Sequence, residues 1–243
     1  MTDPIFYFVL FALISSAFIK GSLGLGFSTI CLAILANVLE LKTAISIVVI
    51  PSLISNVMVM IEAGNFRVSL RTFAWMLLMA VPGMLVGLQI LRQADNSLSL
   101  TILSGVLVIY GCWGLLNRHF RIDERLIPRL NPVIGFFTGT VNGATGSQIF
   151  PIMPYLLSLN ISKDVLVQTI NMSFSLSSLI MLSALYYMNA LDTASLFTYS
   201  LGIVPVMAGV WLGGKVRRRL SEQRFRQAVM VLIIVLGVLL LFR

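Results

Sequence analysis

Two short stretches concentrate the side chains able to hold a small anion. One is Lys20-Gly21-Ser22-Leu23-Gly24-Leu25-Gly26, with Ser28 just beyond it; the other is Val141-Asn142-Gly143-Ala144-Thr145-Gly146-Ser147-Gln148. Glycine lets backbone N–H groups come close to a ligand. A helix that starts just after such a stretch turns unpaired N–H groups and the positive end of its dipole toward it. Phe27-Ser28-Thr29 and Ser147-Gln148-Ile149 are the expected helix starts. Ser22, Ser28, Asn142, Thr145, Ser147 and Gln148 add hydroxyl and amide donors to the backbone of Gly21, Gly24, Gly26, Gly143 and Gly146. Lys20 is the one charged residue well inside an apolar run, where an uncompensated charge costs about 2.5 kcal/mol or more. At a break it meets water and an anion; at a shallower depth it snorkels to the interface. The plainer role of the small residues is close helix packing of the small-xxx-small kind.

The runs after each break carry further polar positions: Ser46, Ser52, Ser55 and Asn56 in one, Gln168, Thr169, Asn171, Ser173, Ser175, Ser177 and Ser178 in the other. Spacings of three and four place Asn171, Ser175 and Ser178 on one helix face, and Ser52, Ser55 and Asn56 on another. These faces are expected to line a cavity, with Asn56, Asn171 and Ser175 as binding candidates; hydrogen bonding between helices is the competing role. No Asp or Glu lies near the middle of an apolar run, since Glu40, Glu62 and Asp164 sit at run ends. Proton relays and sodium sites usually use intramembrane carboxylates, so backbone carbonyls are what remains to hold a coupled cation. Without coupling, an inside-negative potential favours anion efflux by about 2.3 kcal/mol per charge per 100 mV. The single His119 sits in a basic loop, and Cys31 and Cys112 lie in apolar runs as packing residues. No metal site, cofactor site or nucleophile–base pair can be assembled from these residues, and no enzyme is expected.

The elements that position these residues follow from composition. The chain is 58% hydrophobic and 11% charged over 243 residues, with a mean hydropathy of +0.97. A soluble domain carries roughly 25% charged residues, so the lipid bilayer is the solvent here. The net charge of +8 comes from basic residues between apolar runs, where the positive-inside rule puts them, and does not indicate nucleic acid. The N-terminal MTDPIFYFVLF lacks the positive n-region of a cleaved signal peptide and reads as the start of the first helix. Broken runs cover 4–39 and 132–159, and unbroken runs 43–61, 72–91, 98–116, 165–188, 194–213 and 225–242. The unbroken runs are long enough to cross a bilayer. Pro51, Pro82 and Pro205 are expected to kink theirs.

The order of segments repeats. Gly21 and Gly24 fall on Gly143 and Gly146 with an offset of 122, Pro82 on Pro205 with 123, Asn65 on Asn189 with 124 and Gly111 on Gly237 with 126. This divides the chain into a first repeat over 1–116, a basic cytoplasmic linker over 117–130 and a second repeat over 131–243. If each broken run is a hairpin that enters and leaves on one side, thirteen of the 17 Lys and Arg residues share one face. Single crossings give at best nine against seven, so hairpins satisfy the positive-inside rule better. The arms 4–19 and 27–39 reach roughly 24 and 20 Å at 1.5 Å per residue, both short of a full crossing; paired full crossings would give the same sidedness. Each half then has odd parity, the second is inverted relative to the first, and both termini lie outside the cytoplasm. The expected fold is an all-α polytopic membrane protein of two inverted-topology repeats, each a broken helix or hairpin followed by three transmembrane helices. Inverted repeats with broken helices at their interface are a transporter signature.

GSLGLGFSTI at 21–30, KTAISIVVIPSLISN at 42–56, GFFTGTVNGATGSQIFPIMPYL at 135–156 and VQTINMSFSLSSL at 167–179 resemble the sulfite exporter TauE/SafE family, also called the 4-toluene sulfonate uptake permease family. The resemblance covers nearly the whole chain and includes the duplicated arrangement. It implies transport of sulfite, organosulfonates or a related small organic anion across the cell inner membrane. The first break has fewer consecutive glycines than many relatives. The expectation is therefore an alternating-access transporter of a small anion; an anion channel and an uptake permease coupled to a cation are the alternatives. The oligomeric state is left open, a homodimer among the options.

Overall fold

The computed structural model describes residues 4–23, 26–116, 121–188, 202–217 and 222–242. The helices in chain order are α1 (Pro4–Leu23), α2 (Phe27–Leu35), α3 (Leu41–Ala63), α4 (Phe66–Gln93), α5 (Asn96–Leu116), α6 (Ile127–Thr145), α7 (Ile152–Leu157), α8 (Lys163–Tyr187), α9 (Ile203–Arg217) and α10 (Glu222–Leu241). A 3-10 turn at Glu124–Leu126 precedes α6. No strand occurs among the described residues. Among the described residues five helices, α1, α3, α4, α5 and α8, are long and apolar enough to cross a membrane, and the protein is an all-α polytopic membrane protein. Helix is the natural choice, because in lipid every backbone group must be satisfied within the segment.

Glycine seams hold the bundle together. On one, α6 lies along α4: a Cβ on Gly83 would overlap the Phe136 carbonyl, one on Gly87 the Thr140 carbonyl and Ala144 nitrogen, and one on Gly143 the Met84 carbonyl. On the other, α1 lies along α9: Gly209 faces the Ile14 carbonyl, Gly213 the Phe18 carbonyl and Ser22 nitrogen, and Gly21 the Val210 carbonyl. These contacts match pair by pair. Ile14, Phe18, Gly21 and Ser22 stand 122 residues before Phe136, Thr140, Gly143 and Ala144, while Gly83, Met84 and Gly87 stand 126 before Gly209, Val210 and Gly213. Lipid tails are as apolar as leucine, so the helices gain little from burying large side chains; close backbone approach at small residues supplies the dispersion contact instead. A third seam joins α5 to α10, where Ser104 donates to the Gly237 carbonyl and Gly111 packs on Met230 and Ile234. Between these seams α3 packs on α8, and both helices bury long polar rows.

The second broken run folds back on itself. The Ile122 amide, ahead of α6, donates to the Ser158 carbonyl beyond α7 at 3.0 Å. The Tyr155 hydroxyl on α7 donates to Asn131 Oδ1 near the start of α6 at 2.8 Å. Asn131 in turn donates through Nδ2 to the Thr72 carbonyl at 2.8 Å, next to Phe73, where α4 departs from helical φ/ψ. That departure lies nine residues ahead of Pro82, which stands inside α4.

Both breaks lie later than the residue types suggest. α1 stays helical through Lys20, Gly21 and Ser22 to Leu23, and α6 through Asn142, Gly143 and Thr145. The first arm is thus 20 residues, about 30 Å long, rather than the short arm expected over 4–19; the return helix α2 has only 9 residues. The cause is the packing: a glycine in a helix interior costs about 1 kcal/mol relative to alanine, and a seam that needs glycine outweighs this. The helix start expected at Ser147 is also displaced, since α7 begins at Ile152 after a non-helical segment. Gly24, Asn189 and the start of the run expected over 194–213 lie outside the described residues.

Candidate functional site

Lys20 occupies the last turn of α1 and is 3% exposed. Its Nζ donates to Ser55 Oγ at 2.8 Å and to Asn56 Oδ1 at 2.7 Å, both on α3. Two further bonds fix these acceptors: the Ser55 hydroxyl donates to the Ser52 carbonyl at 2.9 Å, and Asn56 Nδ2 donates to Ser52 Oγ at 3.3 Å. An ammonium has three donors, and two are used here. Among the described residues Lys20 has no carboxylate partner; its bonds are to neutral oxygens.

Lys20 lines a small cavity with Gly26, Phe27, Ser28, Asn56, Asn171 and Phe174. Its wall includes the start of α2. Gly26 takes φ +93°, a left-handed conformation open to glycine, and the first helical bond of α2 runs from Ile30 to the Gly26 carbonyl. The amides of Phe27, Ser28 and Thr29 precede that bond, and no side chain caps this end. Lysine, the first residues of α2 and the Asn171 side chain thus border one space, Asn171 Nδ2 itself donating to the Val167 carbonyl at 2.8 Å. Lysine and the start of α2 form a set of donors suited to an oxyanion.

A second small cavity adjoins the first through Ser28. Ser52, Asn142, Gly146, Gln148 and Ser178 line it. Gly146 takes φ +72° and closes α6, its amide donating to the Asn142 carbonyl at 2.7 Å. Gln148 Nε2 donates to Ser178 Oγ at 3.0 Å and to the Phe174 carbonyl at 3.4 Å, whereas its Oε1 has no partner. Asn142 is buried, and its Nδ2 has no partner. The two breaks touch where Thr29 Oγ1 and Ser147 Oγ share a hydrogen bond of 3.2 Å. Larger, mostly apolar cavities reach this centre from two directions. One of about 400 Å³ runs from Lys163 to Gly26, and one of about 250 Å³ runs from Glu62 to Ser55.

The fifteen candidates therefore separate. Lys20, Gly26, Ser28, Asn56 and Asn171 meet at the first cavity; Asn142, Gly146 and Gln148 meet at the second. Gly21 and Gly143 lie on the seams, and Ser22 donates across its seam to the Gly213 carbonyl at 3.1 Å. Thr145 donates to the Val141 carbonyl and accepts from the Ser147 amide, stabilising the end of α6. Ser175 is buried with an unpartnered hydroxyl and borders neither cavity; Gly24 is outside the described residues. Sequence reasoning placed Ser52, Ser55 and Ser178 on cavity faces without naming them as site residues. It gave no sign of Phe27 and Phe174, the apolar walls around Lys20.

The sulfite exporter TauE/SafE family matches the chain over residues 8–240. The protein belongs to this family of membrane transporters and is an anion-transporting, multi-pass membrane protein. No curated protein and no solved structure matches the chain.

Proposed function

We propose that this member of the TauE/SafE family carries a small oxyanion, sulfite or a related sulfonate or carboxylate, outward across the inner membrane, binding it at the Lys20 cavity. The observation that carries this reading is a buried ammonium held by neutral oxygens alone. Burying a charge without a counter-charge costs several kcal/mol, and an anion at the free donor of Nζ offsets that cost. The start of α2 adds the positive end of its dipole and amides that no side chain caps. Asn56 and Asn171 border the same space.

Alternating access is supported by the matched seams, which suit two inverted repeats able to rock around the centre. The closure of Ile122 on Ser158 favours a hairpin for the second broken run. Together with the positive-inside count, that supports a cytoplasmic 117–130 linker and termini on the other side. Reporter fusions after Arg243 should report a non-cytoplasmic C-terminus; a cytoplasmic one contradicts the inverted arrangement.

The transport reading is tested in proteoliposomes loaded with sulfite, taurine-like sulfonates or small carboxylates. Saturable efflux of at least one, lost in Lys20→Met, is expected. Folded protein that moves none of them would falsify it. Flux without saturation or counter-exchange would identify a channel.

A further inference from the structure

The space beside Lys20 is small. It holds about 10 Å³, roughly one water-sized sphere, and admits a single oxygen of an anion. A carboxylate or sulfonate has more atoms than that, so the rest of the molecule must lie in a neighbouring cavity. The one past Ser28 is equally small, about 10 Å³. The one of about 250 Å³ shares no lining residue with the Lys20 cavity. The chamber of about 400 Å³ meets it at Gly26.

Gly26 leaves that junction open. It has no side chain, and a Cβ there would meet only Ile30 Cδ1, at 3.4 Å, itself on the chamber wall. Beyond the junction the walls are apolar: Ile30 of α2, Met153 and Leu156 of α7, and Val229 and Ile233 of α10 are buried side chains that line the chamber. Its far end is the exposed Lys163 at the start of α8. A volume of this size lies within the roughly 300–1,000 Å³ of small-molecule pockets, which are mostly apolar with a few polar groups that fix orientation. A hydrated inorganic anion gains nothing from such walls, whereas a hydrocarbon chain does.

We propose that the anion bound at Lys20 is amphipathic: a carboxylate or sulfonate head with an apolar tail of several carbons. One head oxygen sits on the Lys20 ammonium, and the tail passes Gly26 into the chamber of about 400 Å³. The inference rests on the anion-transport reading above and narrows it, placing sulfite and methanesulfonate among the weakest ligands. Lys163 is the cation an anion meets at the outer end of the chamber, and Lys20 the one it reaches at the inner end. A membrane amphiphile lodged from outside would lie the other way, head on Lys163 and tail inward, and would leave the Lys20 ammonium without an anion.

The test is calorimetric titration of the protein in lipid nanodiscs with n-alkane sulfonates from methane- to octanesulfonate, and with carboxylates and alcohols of matched length. Empty nanodiscs serve as the blank. A buried CH₂ is worth about 0.8 kcal/mol, so affinity should rise about fourfold per methylene until the chamber is filled. Alcohols should bind at least tenfold more weakly than anions of the same tail, and Lys20→Met should remove that difference. Val229→Phe fills the chamber and Met153→Gln makes it polar; each should cut the ratio of hexane- to methanesulfonate affinity at least tenfold. A gain below twofold per methylene from methane- to hexanesulfonate overturns the proposal, and so does a ratio unchanged in both variants. A preference for anion over alcohol that survives Lys20→Met and is lost in Lys163→Gln also overturns it, because the head then sits at the outer end. Saturable efflux of sulfite or methanesulfonate from proteoliposomes, with no gain from tail length, overturns the amphipathic ligand and leaves the anion-transport reading standing. Tail-dependent binding that needs Lys20, without efflux of any anion, does the reverse.

Discussion

The ends of α1 and α6 are packed alike and equipped differently. Each slides a glycine against a backbone carbonyl of its neighbour, Gly21 on Val210 and Gly143 on Met84. Beside that contact the first arm carries a lysine and leads to a nine-residue helix that borders the same cavity, while the second carries an asparagine and leads to a non-helical segment and a helix of six residues. The common part is scaffold, and the divergent part is chemistry. A duplicated framework fixes where the two breaks fall, and a handful of side chains sets them apart.

The largest effects should come from breaking the common part. Gly21→Leu or Gly143→Leu drives a side chain into a backbone carbonyl, with no flexible group able to give way. Neither variant should yield monodisperse protein by size exclusion. The alanine variants should each cost at least about 1–3 kcal/mol, as overpacking does, and by similar amounts because the two seams are equivalent. Gly105 has open space where its Cβ would stand, so Gly105→Ala should melt at or above the wild-type temperature. A large inequality between Gly21→Ala and Gly143→Ala in thermal melts would argue against matched seams.

Next comes the divergent part. Lys20→Met removes a charge-assisted hydrogen bond worth about 1.5–3 kcal/mol, so anion affinity should fall roughly 10- to 100-fold. Asn142→Met, the same substitution at the matched position, removes no charge and should lower anion affinity much less. Equal losses in the two variants would mean that Lys20 is structural.

These two tiers also mark what was legible in the sequence. The all-helical membrane fold, the offset of 122 and the isolation of Lys20 within an apolar run follow from hydropathy and spacing alone. The extent of the breaks does not. Glycines at 135, 139 and 143, at 83 and 87, and at 209 and 213 carry the four-residue rhythm of helix seams. Polar small residues at the same positions read equally well as unwound chain. Which role wins depends on whether a second helix comes close, and that is a tertiary fact. Ser22 shows the same limit: a hydroxyl beside Lys20 in sequence points instead across a seam to Gly213. Spacing puts Ser52, Ser55 and Asn56 on one helix face, but nothing in it pairs that face with Lys20.

A smaller effect separates backbone from side chain at the first break. Gly26→Ala has room for its Cβ, the nearest atom being Ile30 Cδ1 at 3.4 Å, yet φ +93° is strained for any L side chain. That strain costs about 1–2 kcal/mol. Relief by rotating the Gly26–Phe27 peptide would re-aim the amides at the start of α2. Anion affinity should therefore drop with Lys20 intact, in a variant that still folds. Gly146→Ala combines φ +72° with a Cβ only 2.7 Å from Ile45 Cγ1, and should lose stability as well.

The smallest effect lies where the two regions meet. Thr29 and Ser147 share one hydroxyl–hydroxyl bond, worth about 0.5–1.5 kcal/mol. In a rocking mechanism the bond forms in the state described here and breaks when one repeat moves past the other. Thr29→Val and Ser147→Ala should each change the transport rate more than the anion affinity, and together should do little more than either alone. A double-mutant cycle isolates that shared term. Strict additivity would place the contact outside the moving interface, making the two breaks neighbours that do not act on each other.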